Sequence, residues 1–318
     1  MAPVRRKSKS IYAAIGLAAA LCTAMPETAI AEQQGAVEAP RRSIVLGSRG
    51  GPAGDTPRTA AAPGDSGLAF SAAAAIASDY IYRGVTLSDR GPAAGANFEA
   101  AFDKLYASIT VASVKLPTDP SAEISFAAGL RPTLGQLELD LAWTFYSYPN
   151  EKRWLLGPTG GTDYWEASAR AETQVTEALR IGAGLAWSPN VSNTGAWGQY
   201  YAAGFSYDLP RATIANEIGV SLSGSLGYSR FGDIDDVLGG FPLPSYLNWN
   251  AGGTFTWKTV SLDLRYYDTN LSKENCYIFT GATDAVAGGA IDLLRNPEGL
   301  RSRWCSATFV AKLVFAMN

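Results

Sequence analysis

The most constraining feature of this sequence is a two-residue alternation of apolar and more polar side chains, which is clearest in the segment QLELDLAWTFYSY. Successive side chains of a strand point to opposite faces, so the pattern predicts a strand with one apolar face and one more polar face. The apolar face holds Leu137, Leu139, Leu141, Trp143 and Phe145, and the other holds Glu138, Asp140, Ala142, Thr144 and Tyr146. Similar alternation predicts twelve strands, at residues 67–84, 97–103, 105–115, 122–132, 136–148, 163–175, 178–189, 198–209, 217–230, 245–257, 259–269 and 306–317.

The connections between these strands alternate between short and long. Short ones lie near residues 103–104, 133–135, 176–177 and 258, and long ones include residues 85–96, 149–162, 231–245 and 270–305. Bacterial outer-membrane barrels have short periplasmic turns, longer outer loops and an even number of strands. The even count then places both chain ends in the periplasm. The connection LPRATIANE, residues 209–217, is long for a periplasmic turn.

The apolar faces suit lipid because their tryptophans lie toward the strand ends, as in the aromatic girdles of membrane barrels. One such face holds Leu179, Ile181, Ala183, Leu185 and Trp187, and another holds Leu247, Trp249, Ala251, Gly253, Phe255 and Trp257. A soluble sandwich or closed barrel also alternates, but with its apolar face inward. Strand lengths at or above roughly 9 to 11 residues favour the membrane. Some polar faces consist of small uncharged side chains, which also favours a membrane barrel with a narrow lumen. One such face holds Ser221, Ser223, Ser225 and Ser229. The sequence predicts an all-β fold, an antiparallel up-and-down transmembrane β-barrel of about twelve strands at residues 67–318.

The first 66 residues differ from the rest in composition and lack the two-residue alternation. A basic start, an apolar run of roughly 12 residues and the small-x-small triplet at Ala29 to Ala31 predict a cleaved signal peptide at residues 1–31. A lipoprotein attached through Cys22 is the less favoured alternative, because Leu21 precedes that cysteine. Residues 32–66 are rich in Gly, Pro and Ala and predict a flexible periplasmic segment. The expected location is therefore the bacterial outer membrane.

Composition excludes several functions. The formal net charge is −3 and becomes more negative once the basic signal peptide is removed, so no nucleic acid partner is expected. The chain has no histidine, which excludes Ser-His-Asp and Cys-His catalysis and histidine-ligated metal. The acidic run GDIDD is not followed by the ligand and glycine of a calcium loop, since Val237 and Leu238 stand there. We predict no enzyme activity, no cofactor and no metal.

Two cysteines, Cys276 and Cys305, belong to the chain after the signal peptide. An even pair in an exported protein predicts a disulfide, and two free thiols are the alternative.

The segment SDYIYRGVTLSD resembles the start of a proteobacterial family named Gcw_chp, whose members are often called TorF-type porins. The resemblance lies in Ser78, Asp79, Tyr80, Arg83 and Gly84, with Pro92 in the loop that follows. Later segments are similar as well: FYSYPN at 145–150, DYWEASA at 163–169, LAWSPN at 185–190 and LDLRYYDTNLSKENC at 262–276, with Cys305 as a second cysteine. The resemblance implies an exported barrel and a pore, without a known substrate.

The polar faces carry both acids and bases. In the first strand, Asp79 and Arg83 are predicted to face the lumen, and Tyr80 and Tyr82 the lipid interface. The candidate lumen charges are Asp79, Arg83, Glu99, Glu138, Asp140, Glu166, Arg170, Arg180, Asp263 and Arg265, with Asp103, Glu123, Arg131, Glu172, Asp208 and Lys312 on the same rows. Buried charges need partners or water, so this pattern predicts either a pore or a salt-bridged interior. Charges on the solvated surface of a soluble barrel are the simpler alternative.

An open pore and a salt-bridged interior predict two different functions. The first is a passive narrow pore whose acidic excess favours small polar or cationic solutes, with membrane lipid as its other partner. The second is a non-conducting envelope scaffold or receptor that acts through its outer loops, above all residues 270–304.

Overall fold

Twelve long antiparallel strands form a closed barrel in the computed structural model, which describes residues 67–152, 161–210 and 218–317. Each strand pairs with the next along the chain, and the pairing of β1 with β12 closes the sheet. The predicted fold class and strand number are confirmed. The strands are β1 (Leu68–Ala77), β2 (Ala93–Phe102), β3 (Leu105–Ala112), β4 (Glu123–Leu130), β5 (Leu137–Ser147), β6 (Tyr164–Gln174), β7 (Leu179–Ser188), β8 (Gly198–Asp208), β9 (Gly219–Phe231), β10 (Tyr246–Trp257), β11 (Val260–Thr269) and β12 (Thr308–Met317).

The first two strands differ most from their predicted bounds. β1 ends at Ala77 rather than at residue 84, and β2 begins at Ala93, four residues before the predicted start at 97. Between them the chain forms a small hairpin of Ile81–Tyr82 and Val85–Thr86, which pairs with itself and not with the barrel sheet. A two-residue strand, Thr133–Leu134, extends the turn before β5.

The outer face of the barrel is apolar, and the inner face is polar. On β7, Ile181, Leu185 and Trp187 expose 41–49% of their surface, whereas the alternate residues Ala186 and Ser188 are buried. On β9, Leu222 and Leu226 point outward, and the predicted polar row of serines points inward. A soluble barrel would reverse these faces, so this arrangement is that of a membrane barrel.

The two ends of the barrel differ in their connections. One end, the short-turn end, has tight turns such as Asp103–Lys104 and residues 258–259. The other end, the long-loop end, carries residues 78–92, 113–122, 189–197, 232–245 and 270–307. Residues 1–66, with the predicted signal peptide and periplasmic segment, lie outside the described residues, so both assignments stay predictions. Most of the long connection 209–217 lies outside them as well.

The longest connection contains helix α1 (Lys273–Thr280), which begins after Ser272, whose side chain accepts a hydrogen bond from the Asn275 backbone N–H. Cys276 of this helix forms the predicted disulfide with Cys305, just before β12, with the two Cα atoms 5.8 Å apart. Both cysteines pack in an apolar cluster with Val85 and Trp304. The cluster therefore joins this loop to the hairpin near β1. No helix in the described ranges is long and apolar enough to cross a membrane.

Candidate functional site

The hairpin at residues 81–86 lies inside the barrel at its long-loop end. Arg83 and Gly84 form its turn, with φ angles of 48° and 82°, as a two-residue hairpin turn requires. A Cβ atom added to Gly84 would lie 2.4 Å from Thr269 Cγ2 and 3.0 Å from Asn248 Cβ. Only glycine fits here, because the tip of the hairpin is pressed against the inner face of β10 and β11.

Arg83 fixes the hairpin to the opposite wall through Glu166 of β6. The guanidinium donates two hydrogen bonds to the carboxylate, at 3.0 and 2.9 Å, and both side chains are at least nine-tenths buried. It also stacks on the rings of Tyr82 and Tyr200, with Cζ 4.5 and 4.2 Å from the ring centroids. Burial by itself would lower the pKa of Arg83, but the Glu166 carboxylate raises it above its ordinary value. The guanidinium is therefore charged and held in place.

The prediction that Tyr80 and Tyr82 face lipid is wrong. Tyr80 exposes 4% of its surface and Tyr82 exposes 8%. The Tyr80 hydroxyl donates to Glu123 of β4 at 2.7 Å, and the Tyr82 hydroxyl lies 3.3 Å from a Glu166 oxygen. Tyr148 donates to the second oxygen of Glu123 at 2.8 Å. Since β1 ends at Ala77, the alternation that runs along β1 does not continue to these tyrosines.

The prediction that Asp79 and Arg83 share one face of the first strand is also wrong. That strand ends at Ala77, and Asp79 lies at the base of the hairpin. Its Oδ1 accepts hydrogen bonds from Thr86 Oγ1 at 2.5 Å and Ser88 Oγ at 2.8 Å, while Oδ2 has no partner among the described residues. Burial raises the pKa of Asp79 above its ordinary value, against the lowering effect of the two hydroxyl groups.

The disulfide-closed loop holds the hairpin from outside. The Thr86 N–H donates to the Trp304 carbonyl at 3.0 Å, and the Trp304 indole N–H donates to Asp89 at 3.1 Å. Arg90 donates from its guanidinium to three loop carbonyls, those of Arg303, Ser306 and Ala307, at 3.0 to 3.2 Å. The hairpin is thus fixed both to the barrel wall and to the loop above it.

Further along the interior, Arg131 connects the walls near β2 and β5. It donates to both oxygens of Glu99, at 2.6 and 2.8 Å, and lies 3.5 Å from Asp140. Tyr106 donates to Asp140 at 2.8 Å, and the guanidinium stacks on its ring at 3.7 Å. These charges are therefore paired inside the barrel.

Arg180 of β7 pairs with two carboxylates at the same level of the sheet. Its Nη1 lies 3.3 Å from Glu138 and 3.9 Å from Glu172, and these two acids face each other across β5 and β6. Arg180 therefore links the two carboxylates across β5 to β7.

The opposite wall, β9 to β11, carries a separate network around Arg265. Its guanidinium donates to Asp263 at 3.0 and 2.9 Å, to Asn250 at 2.8 Å and to the Ser223 hydroxyl at 2.8 Å. Arg265 exposes 2% of its surface. The guanidinium of Arg265 is therefore buried and hydrogen-bonded through all three of its nitrogens.

Arg170 differs from the other predicted lumen charges. It lies on the inward row of β6 between Glu166 and Glu172 and is half-buried. Within the described ranges it makes no hydrogen bond or ion pair, in contrast to the other charges of its row. Its neighbours in register are Asp140 on β5 and Gly184 on β7.

The remaining predicted charges lie in different places. Lys312 is opposite Asp263 in register, whereas Asp103 and Asp208 are exposed at strand ends near the short turns. Several inward polar residues were missed by the search for charges alone. These residues are Tyr106, Tyr200, Asn248 and Asn250. The alternation along their strands, which places them on the inward side, was the signal that could have identified them.

Burial of the inward side chains changes along the barrel. At the long-loop end Tyr146, Tyr164 and Tyr200 expose only 3–4% of their surface. Deeper on the same wall, Ser168 and Arg170 are half-buried. The inward side chains are therefore tightly packed at the hairpin, and Ser168 and Arg170 are partly exposed below it. In the described part of the chain no cluster of acidic or cysteine side chains is arranged to hold a metal ion.

These features define the class: a transmembrane β-barrel with a charged interior and an inward hairpin at one mouth. Residues 61–291 match the family model Gcw_chp, described as a bacterial protein of unknown function. The chain belongs to this family, and the resemblance seen in its motifs is confirmed.

Two of the solved structures that match this chain are a porin and an outer membrane protein. A KdgM porin has 8% sequence identity and a TM-score of 0.45, covering 78% of this chain and 99% of that one. OmpT of Vibrio cholerae has 8% identity and a TM-score of 0.31, covering 79% of this chain and 99% of that one. No curated protein matches this sequence. The closed barrel is established by the pairing of the strands within this chain.

Proposed function

We propose that this protein is a passive pore of the bacterial outer membrane, narrowed at its long-loop end by the inward hairpin. It passes small polar solutes and weakly prefers cations, because acids outnumber bases on its inward rows. The outer-membrane location is supported by the apolar outward belt on a closed antiparallel barrel. Twelve strands enclose more room than the eight that side chains alone can fill.

The pore proposal rests on one observation, which is that Arg170 lies on the inner wall without a hydrogen bond or ion pair among the described residues. A charged side chain within a membrane-spanning strand is costly unless it is paired or hydrated. Arg170 has no partner among the described residues and is half-buried on the inner wall. Water must therefore reach it, and water at this depth is the first requirement of a conducting path.

The test is single-channel recording on folded, purified protein in planar lipid bilayers. We expect discrete conductance steps with a modest preference for cations that weakens as salt is raised, because salt screens the lumen charges. Absence of conductance in the wild-type protein and also in Glu166→Gln, which removes the carboxylate that holds Arg83 of the hairpin, would overturn the pore.

A second function is favoured by the surface of the longest loop. Its apolar side chains Ile291, Leu293 and Leu294 expose 63–88% of their surface, which is unusual for a loop without a partner. A non-conducting scaffold or receptor that acts through this loop would fit such a surface. It predicts a silent bilayer recording and an envelope defect when residues 283–299 are replaced by a short polar linker.

A further inference from the structure

The base of the hairpin holds a carboxylate that is buried without a counter-ion. Asp79 exposes 4% of its surface, and within the described residues it forms no ion pair with an arginine or lysine. Its Oδ2 atom has no hydrogen-bond partner there. The guanidinium of Arg90, the cation that acts on it electrostatically, binds three loop carbonyls instead. An ionised carboxylate in such a place is costly.

Thr86 directs its hydroxyl hydrogen to this carboxylate. Its Oγ1 accepts hydrogen bonds from the backbone N–H groups of Ser88 and Arg90, at 3.2 and 3.0 Å. Both lone pairs of the hydroxyl are then used, and its single hydrogen points to Asp79 Oδ1 at 2.5 Å. This hydrogen bond joins the second strand of the hairpin to the residue at its base.

Ser88 has two oxygen neighbours but only one hydrogen to donate. Its Oγ accepts from the Tyr80 N–H at 2.9 Å. It also lies 2.8 Å from Asp79 Oδ1 and 2.7 Å from the Gly91 carbonyl oxygen, and both are hydrogen-bond distances. A carbonyl and a carboxylate can only accept, so one contact lacks a hydrogen when Asp79 is ionised. A proton on Asp79 supplies it, because Asp79 then donates to Ser88 and Ser88 donates to Gly91.

We propose that Asp79 is a proton-binding site that controls the hairpin, so that the pore narrows as pH falls. Protonation removes a buried charge and completes the hydrogen bonds at the base of the docked hairpin, which is the inward position in which Arg83 binds Glu166. When the hairpin is released toward solvent, water hydrates the carboxylate and the proton is lost. The effect on conductance rests on the proposed pore, whereas the proton site rests on the hydrogen bonds of residues 79–91.

The direction of the pH response follows from this linkage. Burial raises the pKa of Asp79 above its ordinary value, against the lowering effects of the two hydroxyl groups and Arg90. Such a group stabilises the docked hairpin fully below the ordinary range of aspartate, and this stabilisation is lost as pH rises through the raised pKa. One proton changes the ratio of docked to released hairpin by at most about tenfold per pH unit.

The other carboxylates that contact the hairpin respond to acid in the opposite direction. Each accepts hydrogen bonds that hold the hairpin or its flanking loop in place, so its protonation loosens the docked state. They are Glu166, which binds Arg83; Glu123, which binds Tyr80 and Tyr148; and Asp89, which binds Lys115 and Trp304. The cations Arg83, Arg90 and Lys115 do not titrate in acid. A variant that changes Asp79 alone separates its effect from theirs.

The experiment records conductance in planar bilayers from about pH 7.5 to about pH 4, which spans the range of a raised aspartate pKa. Asp79→Asn removes the charge and does not titrate, so its hairpin should stay docked. At neutral pH the wild type should conduct more than Asp79→Asn, and the ratio of the two conductances should approach one as pH enters the ordinary range of aspartate. Asp119→Asn, which changes an exposed carboxylate at the same end, should match the wild type at each pH.

A second readout does not depend on current. At neutral pH, trypsin should cleave after Arg83 more slowly in folded Asp79→Asn than in the folded wild type, because the hairpin is released less often. Asp119→Asn should again match the wild type.

The outcomes separate the proton site from the pore. Equal conductance of wild type and Asp79→Asn at neutral pH, or a ratio that does not change with pH, would overturn the proton site and leave the pore. If neither the wild type nor Glu166→Gln conducts, the pore is overturned, and equal trypsin cleavage of wild type and Asp79→Asn would overturn the proton site. Heat-modifiable migration on a gel identifies folded protein. If Asp79→Asn does not fold, the wild-type conductance decides, since a rise or no change in acid contradicts the proton site.

Discussion

Replacing Glu166 by glutamine is expected to release the hairpin from the barrel interior. The change keeps the shape of the side chain and removes the charge that Arg83 binds through two hydrogen bonds of 3.0 and 2.9 Å. Arg83 is then left nine-tenths buried without a counter-ion. The hairpin can relieve this by moving toward the solvent at the long-loop end, where the guanidinium is hydrated.

The size of the effect follows from the burial of the pair. Removing one partner of a buried ion pair costs about 3 to 5 kcal/mol. The contacts that oppose release include the hydrogen bonds from Tyr80 to Glu123 and from the Thr86 N–H to the Trp304 carbonyl, and the packing of Val85 in the apolar cluster. A cost of about 3 kcal/mol shifts the ratio of docked to released hairpin by roughly a hundredfold. A released state that is rare in the wild-type protein should then become well populated.

Two measurements follow the release. In planar bilayers, Glu166→Gln should raise the mean conductance, because the hairpin no longer narrows the mouth. In the folded protein, trypsin should cleave after Arg83 faster than in the wild type. The double variant Arg83→Met with Glu166→Gln should return both values toward wild type, since neither side of the contact then carries a buried charge.

Asp119→Asn provides the matched control. It removes an exposed ion pair with Lys152 at the same end of the barrel, and such pairs contribute about 0 to 1 kcal/mol. Conductance and cleavage should stay as in the wild type. The electrostatic account of the hairpin is refuted if Glu166→Gln behaves like Asp119→Asn, or if the double variant is as open as the single one.

Three further changes test neighbouring contacts. Replacing Cys276 and Cys305 together by serine opens a loop with a sequence separation of 29 and should destabilise the fold by about 3.5 kcal/mol. This would appear as a lower temperature of heat modification on a gel. Gly84→Ala should undock the hairpin, because its φ of +82° and the 2.4 Å contact with Thr269 Cγ2 exclude a Cβ, and adding Thr269→Ser should restore part of the docking. Burial raises the pKa of Asp79, so the folded protein takes up this proton more readily than the unfolded chain. Asp79→Asn should therefore raise the melting temperature at neutral pH, and its advantage should vanish as pH falls below the ordinary range of aspartate.

The strands of the barrel were predictable because their signal is local and repeated. In β5 and β7 the alternation runs through the whole strand, and one side of each strand faces lipid while the other faces the interior. Lipid on one side and water or polar groups on the other impose that pattern on each spanning strand. The tight turn at Asp103–Lys104 was visible for the same reason, since it interrupts two such patterns.

The candidate site was predictable only in part. Alternation placed Glu99, Asp140 and Arg265 on inward rows, and they lie inside the barrel. It could not tell which charge pairs with which. Arg131 and Glu99 are 32 residues apart, and the register of β2, β3 and β4 brings them together. That register, and with it the unpaired state of Arg170, is a property of the closed sheet.

The sequence by itself determined the number of strands and the apolar and polar face of each, and it indicated a disulfide between Cys276 and Cys305. The tertiary structure alone decided where the motif SDYIYRG goes. Alternation assigns a side chain to a face only while the chain stays extended in one strand, and β1 ends at Ala77. Beyond that point Tyr80 and Arg83 are positioned by Glu123 and Glu166, which are 43 and 83 residues away along the chain. Only closure of the barrel brings those carboxylates to the hairpin, because each stands on a different strand of the wall.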